Sequence, residues 1–537
     1  MPRVFAAPAR LQGPNVDVPH LDGKGPKCKK PWTEKALNIK TRDRRQRKGP
    51  NVTIERQLLI NGEPVAAVSG KRVEDVDPYT GDVVATVSAG GPADATRAVD
   101  AAAAAFEQWA AVAPGEKRKL FLAAADLLES SAKEAGELMT SETGAVGPWG
   151  MFNVHLAADI LREAAASVTQ PIGEVLPTST PGSISLSVRQ PAGVVASFAP
   201  WNAPIILGIR SVAAPLAAGN TVVMKPSEQA PLSAGLFLAD ALHQAGFPPG
   251  VCNVVTTAPE DAAPVAEALI SDPRVRRVSF TGSTRVGRQV GELAARHLTP
   301  AVLELGGKNS VIILDDADLD YAVNAVAFAA YLNSGQICMC ADRVVVQKGV
   351  ADEVTARLAA KASKLPFGDP RDTGTVIGPL ISQAAAGRVA ELVEEATSAG
   401  AQVRAGGGQA RGALYPPTVL SRVSPEMRIE TEEIFGPVCT VLVVDDEDEA
   451  VAAANASAYG LTAGVLTEDV RRGLAIARRL RTGIVHVNDQ SVDDEPQAPF
   501  GGVGDSGYGR FGGRAALDSF SELRWVTLQQ GHHPFPF

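Results

Sequence analysis

Four kinds of side chain stand where the sequence could do chemistry: a thiol, a carboxylate at a strand end, a glycine turn ahead of a helix, and an amide between prolines. The thiol lies in Asn333-Ser334-Gly335-Gln336-Ile337-Cys338-Met339-Cys340, after a helical pattern over 321–332. Two cysteines one residue apart invite a metal, but structural zinc takes four ligands, in pairs such as C-x₂₋₄-C. No second pair and no nearby histidine exists, so no metal site is expected. Two readings of Cys338 remain, a buried apolar side chain or a nucleophile. The segment alone favours the first.

The carboxylate is in Glu304-Leu305-Gly306-Gly307-Lys308-Asn309, where a strand ends in Glu and two glycines let the chain turn tightly. The C-terminal mouth of a parallel strand is where α/β proteins place ligands; a solvated loop acid is the competing reading. In Phe280-Thr281-Gly282-Ser283-Thr284-Arg285-Val286-Gly287-Arg288 a strand again meets glycine and a helix start. This is neither a G-x-G-x-x-G fingerprint nor a Walker A loop, since Arg288-Gln289 stands in place of Lys-Ser/Thr. Backbone N–H groups at such a helix start can still hold a pyrophosphate. Asn202, in Ala199-Pro200-Trp201-Asn202-Ala203-Pro204, is either an ordinary turn residue or an amide able to stabilise an oxyanion. Lys225-Pro226-Ser227-Glu228 carries a Lys and a Glu that either bond ribose hydroxyls or are surface charges.

The elements that must position these residues alternate regularly. Leu58-Leu59-Ile60-Asn61-Gly62 reads as a strand entering a turn, and an Ala-rich helical region covers about 92–165. Short β-branched runs at 193–198, 221–224, 252–256, 277–280 and 301–305 are separated by helical patterns, which predicts a parallel α/β architecture. A second such block uses 310–314, 343–346, 438–444 and 483–487, and the join near Gly306-Gly307 is read as a domain boundary and a cleft wall. The Gly-rich stretch 404–412 reads as a surface loop.

At 537 residues the chain is long enough for two or three domains. A formal net charge of −9 gives no reason to expect nucleic acid or an anionic membrane as partner. No apolar run approaches the roughly 20 residues that span a bilayer. Five scattered cysteines (Cys28, Cys252, Cys338, Cys340 and Cys439) argue for a reducing compartment, so a cytoplasmic protein is expected. Residues 1–56 are rich in Pro, Gly, Lys and Arg, with the cluster Arg42, Arg44, Arg45, Arg47 and Lys48, and lack an apolar signal region. Asp17, Asp22, Glu34 and Asp43 interrupt any transit-peptide pattern. The expectation is a disordered basic tail or a mis-assigned start site.

Taken in order, Pro200-Trp201-Asn202, Lys225-Pro226-Ser227-Glu228, Gly282-Ser283-Thr284-x-Val286-Gly287, Glu304-Leu305-Gly306-Gly307-Lys308, Gly335-Gln336-x-Cys338, Glu432-Glu433-Ile434-Phe435-Gly436-Pro437 and Pro499-Phe500-Gly501-Gly502 resemble the aldehyde dehydrogenase superfamily from about Leu58 onward. The stretch 488–513 and the ending Pro534-Phe535-Pro536-Phe537 resemble its benzaldehyde and vanillin dehydrogenase branch. The resemblance implies a Rossmann-type cofactor domain (57–181 and 195–305), an α/β catalytic domain (306–500) and a small β oligomerisation element (182–194 and 515–537). It also implies a homodimer or homotetramer. It assigns Cys338 as nucleophile, Glu304 as the base that activates water, and Asn202 with the Cys338 N–H as oxyanion hole. Trp201, Lys225, Glu228, Gly282, Ser283, Gly287, Glu433 and Phe435 become cofactor contacts, for NAD or, alternatively, NADP. Lys225 and Glu228 would hold the adenine ribose, and Glu433 the nicotinamide ribose. Trp149, Phe152, Ile337 and Met339, with Trp201, either line an apolar substrate tunnel or are core residues. One departure stands out. Many relatives carry Lys nine residues after the Asn, where this chain has Ser211 preceded by Arg210.

The implied reaction is oxidation of an aldehyde, aromatic in the branch resembled, to the acid through a thiohemiacetal and a thioester. Glu228 should repel a 2′-phosphate and so favour NAD. The competing functions are the same chemistry on an aliphatic aldehyde or semialdehyde, a CoA-acylating enzyme, and a catalytically silent binding protein on this fold. Glu304 argues for water as acceptor, and the joint presence of Cys338, Glu304 and Asn202 argues against silence.

Overall fold

The computed structural model describes residues 54–532 and 535–537. Most of the expected tail therefore lies outside the described residues. Its last part does not fit the expectation: Ile54–Arg56 is a strand, paired in parallel with Val83–Ser88, which in turn pairs with Arg72–Val76. Ile54 supplies the apolar contact that a purely polar tail lacks, packing against the main core.

Two large sheets carry the molecule. The first runs Gly507–Tyr508, Ala301–Glu304, Val275–Thr281, Val194–Ala199, Thr221–Pro226, Cys252–Val254, Leu58–Ile60, Glu63–Val65. Its middle strands are parallel and its outer pairs antiparallel. The strands Val194–Ala199 and Thr221–Pro226 are buried along their whole length, as strands covered by helices on both faces must be. Chain order reverses between Val194–Ala199 and Val275–Thr281: later strands first add on one side of Val194–Ala199, then on the other. A crevice opens at such a switch point, beyond the carboxyl ends of the strands. Trp201-Asn202 and Gly282-Ser283 follow those two strands directly.

The second sheet runs Gln402–Ala405, Thr418–Ser421, Val438–Val444, Ala341–Gln347, Asn309–Ile313, Thr462–Leu466, Ile484–Val487. All neighbours are parallel except the Gln402–Ala405 edge. The chain passes from the first sheet to the second through residues 305–308, the join read from Gly306-Gly307. Both glycines are required there. A Cβ on Gly306 would lie 2.5 Å from Glu433 Oε2, and one on Gly307 2.5 Å from the Cys338 carbonyl oxygen.

The Ala-rich region is four helices, Pro92–Ala110, Pro114–Ser130, Ala132–Thr143 and Gly147–Ser167. Pro114 restarts the second, and Gly144 (φ 73°) ends the third in the left-handed conformation that suits glycine. A third, antiparallel sheet joins Ser521–Gln529, Ser183–Pro191 and Gly173–Leu176. The last strand lies outside the span expected for this element. It is only four residues long, Gly-Glu-Val-Leu, too short for an alternating pattern to reveal it. Likewise Val194 opens the first sheet and does not extend the small one. Among the described residues no helix is long and apolar enough to cross a membrane.

Candidate active site

Cys338 is delivered by a strained turn. The helix Leu319–Tyr331 ends, and Asn333 (φ 49°), Ser334 (φ 58°) and Gly335 (φ 74°) all take left-handed backbone angles before the strand Ala341–Gln347 begins. Two non-glycine residues in that region cost about 1–3 kcal/mol each, strain that collects at sites which need a particular geometry. Hydrogen bonds hold the turn in place. Ser334 Oγ donates to the Gly378 carbonyl, Ile381 N–H to Gln336 Oε1, and Asn309 Nδ2 to the carbonyls of Cys338 and Cys340. The Cys338 N–H is committed to no backbone carbonyl among the described residues.

Asn202 faces this turn. Its Nδ2 donates to the Gln336 carbonyl at 3.0 Å, and its own carbonyl accepts from Trp149 Nε1 and Asn333 Nδ2. One amide N–H is thereby oriented and the other is left for a ligand. Glu304, at the end of Ala301–Glu304, is 1% exposed, and neither carboxyl oxygen has a hydrogen-bond partner. A buried acceptor pair left open in this way is costly unless a ligand or water uses it. Burial is the main reason its carboxyl is pushed up to about 7; the adjacent Cys338 side chain and then Arg210 pull the other way. Burial also holds the Cys338 thiol well above the ordinary thiol range, and the neighbouring Glu304 carboxylate adds to the rise. The resting thiol is therefore protonated, with a carboxyl beside it that titrates near neutrality.

Where the departure from the expected Lys occurs, Arg210 forms an ion pair with Asp494, and its guanidinium lies 4.4 Å from the centre of the Phe500 ring. Both charged side chains are nearly inaccessible. Ser211 instead bonds inward, accepting from Ser197 Oγ and donating to the Gly208 carbonyl. Position 211 therefore offers a hydroxyl that bonds inward and no ammonium group.

On the other side, the turn carrying Glu433 and Phe435 is held from three directions. Gly307 N–H donates to Glu433 Oε1 at 2.9 Å, Arg388 donates to the Glu433 and Ile434 carbonyls, and Ile434 N–H donates to Asp342 Oδ2 at 3.0 Å. The same Asp342 oxygen accepts from the fully buried Lys308 Nζ. Burial pushes the Glu433 carboxyl up to about 8. Phe435 (φ 53°) meets Trp201 edge to face at 5.6 Å. Asp342 and Arg388 belong to none of the motifs; their roles come from contacts over 92 and 45 residues, which no local pattern announces.

The remaining expected residues fall as follows. Lys225 pairs with Glu228 at the carboxyl end of Thr221–Pro226. Ser283 caps the helix Thr284–Arg296, its Oγ accepting from Val286 N–H. Gly282 and Gly287 approach Phe280 and Leu305 so closely that a Cβ on either would collide with those side chains. Carboxylates able to accept from ribose hydroxyls, and a glycine-opened helix start, fit a dinucleotide. Trp149 is buried and Phe152, half exposed, stacks on it at 5.5 Å. Ile337 and Met339 are buried in the main core. Among the described residues no His, Cys, Asp or Glu cluster is arranged to hold a metal ion.

Comparisons with known proteins agree in kind. The model of the Aldehyde dehydrogenase family matches residues 65–526. A vanillin dehydrogenase from Pseudomonas sp. is 51% identical over 479 residues, covering 89% of this chain and 99% of the relative. A salicylaldehyde dehydrogenase from Pseudomonas putida is 42% identical over 482 residues, covering 90% and 99%. The crystal structure of a salicylaldehyde dehydrogenase from Pseudomonas putida G7, complexed with salicylaldehyde, superposes with a TM-score of 0.88 at 41% identity, over 90% of this chain and 100% of that one.

Proposed function

The chain belongs to the aldehyde dehydrogenase family, and on that premise we propose that it oxidises an aromatic aldehyde, benzaldehyde- or vanillin-like, to the carboxylic acid with Cys338 as nucleophile. The observation that carries the reading is the partly buried Cys338 thiol beside a buried Glu304 carboxyl with no hydrogen-bond partner. Two of the relatives, named for vanillin and salicylaldehyde, support the aromatic class. A bound nicotinamide nucleotide supplies the hydride acceptor.

The residues divide the work. The Cys338 thiol gives up its proton to solvent, and the sulfur adds to the carbonyl carbon. The oxyanion that forms is met by the free N–H of the Asn202 amide and by the Cys338 N–H. Once the thiohemiacetal has been oxidised to the thioester, Glu304 takes a proton from water, and hydroxide displaces the sulfur to give the free acid. A carboxyl near 7 suits this proton transfer. Lys225, Glu228, the start of Thr284–Arg296, Glu433 and Phe435 hold the nucleotide, with NAD preferred because Glu228 repels a 2′-phosphate. The first sheet belongs to the cofactor domain and the second to the catalytic domain. We read the protein as a homodimer or homotetramer assembling through the small sheet, whose strand Ser521–Gln529 exposes Leu523, Trp525 and Leu528.

The test is absorbance in the NADH band with NAD and either benzaldehyde or propanal, with and without CoA. The reading expects CoA-independent NADH formation, faster with benzaldehyde, and benzoate as product. NADH formed only with CoA, or a marked preference for propanal, contradicts it.

A further inference from the structure

Thr257 belongs to no motif of the sequence, yet it touches the cofactor side of the site. It follows the strand Cys252–Val254, is 1% exposed, and its hydroxyl donates to Glu228 Oε1 at 3.0 Å. Lys225 Nζ donates to the same oxygen. Oε2 of Glu228 has no protein donor among the described residues, and the side chain keeps 21% of its surface open.

The two contacts differ in what they constrain. Lys225 and Glu228 are neighbours on one turn, and a long ammonium side chain can follow a carboxylate that rotates. The Thr257 hydroxyl is short, β-branched and buried, and it comes from the segment after a different strand, so it cannot follow. A carboxylate held at one oxygen from two separate segments presents its other oxygen in a fixed direction. Fixed, it accepts two ribose hydroxyls and cannot retreat from a 2′-phosphate; released, it swings away and the repulsion is relieved. We propose that Thr257 is a positioning residue for cofactor choice: its hydroxyl locks Glu228 in the orientation that admits NAD and rejects NADP. The inference rests on the reading of Lys225 and Glu228 as adenine-ribose ligands.

The test is equilibrium binding of NADH and NADPH to the full chain, followed by nucleotide fluorescence, for wild type, Thr257→Val, Thr257→Ser and Glu228→Gln. Valine keeps the buried shape and removes the hydroxyl; serine restores it. Thr257→Val should lower the ratio of NADPH to NADH dissociation constants about tenfold, the worth of one hydrogen bond to a charged group. Thr257→Ser should keep the wild-type ratio, and Glu228→Gln should bring it near one. If Thr257→Val weakens both nucleotides alike, or leaves the ratio unchanged while Glu228→Gln collapses it, the lock is refuted and the ribose reading survives. If Glu228→Gln leaves the ratio unchanged, the ribose reading fails and the lock with it.

Discussion

The side-chain amide of Asn202 donates to the backbone carbonyl of Gln336, across 134 residues of sequence and two residues ahead of Cys338. The bond ties the turn after the central strand of one sheet to the loop that carries the thiol of the other. It also aims the second amide N–H. Asn202→Ala should lower kcat about 10²–10³-fold, the usual worth of one oxyanion donor. Steady-state NADH formation with benzaldehyde checks this; a loss under threefold would remove Asn202 from the oxyanion role.

The proposed role of Glu304 makes activity depend on pH. Its carboxyl titrates at about 7, and only the ionised form accepts a proton, so thioester hydrolysis should fall tenfold per pH unit well below 7. The same burial acts on stability with the opposite sign from an ordinary salt-bridged acid. The folded carboxyl holds its proton more tightly than the unfolded one, so its contribution is greatest in acid and is lost as pH rises through about 7. Glu304→Gln cannot ionise, and its Tm should exceed that of wild type by more at pH 8 than at pH 5. A gap that does not widen would contradict the burial argument.

Arg210 and Asp494 tune that carboxyl. The arginine lowers it and the aspartate raises it, the arginine having the larger effect. Arg210→Met with Asp494→Leu removes both buried charges together, avoiding an unpaired ion. The acid limb of the kcat profile should then move to higher pH. A move to lower pH would show that the aspartate dominates.

Asp342 binds Lys308 Nζ and Ile434 N–H through one oxygen. Asp342→Ala leaves the fully buried Lys308 without its ion-pair partner and frees the turn bearing Glu433 and Phe435. The expected cost is about 3–5 kcal/mol of stability, with a raised KM for the nucleotide. Adding Lys308→Met should recover most of the stability, measured by urea unfolding, and leave KM raised. Unchanged stability in the single variant would contradict the pairing.

Much of this molecule was legible before its structure. Strand–helix alternation predicted the parallel α/β architecture, because β-branched runs and glycine turns report local geometry. The family resemblance located Cys338, Glu304 and Asn202, which local context left open: Cys338 alone read better as an inert thiol. The structure differs where partners are distant. Ile54–Arg56 is a strand only because Val83–Ser88 lies beside it. Gly173–Leu176 is one only because Ser183–Pro191 folds back on it. Thr257, Asp342, Arg388 and Asp494 act through contacts across 29 to 284 residues, and nothing in their neighbours marks them.

The most direct measurement combines chemistry and position. Glu304→Gln, mixed with NAD and benzaldehyde and quenched early, is digested and its peptides weighed. The expected result is a burst of about one NADH per chain, slow turnover afterwards, and a benzoyl group on Cys338 with Cys340 unmodified. A benzoyl group on Cys340, or a burst without any acylated Cys338, would contradict it.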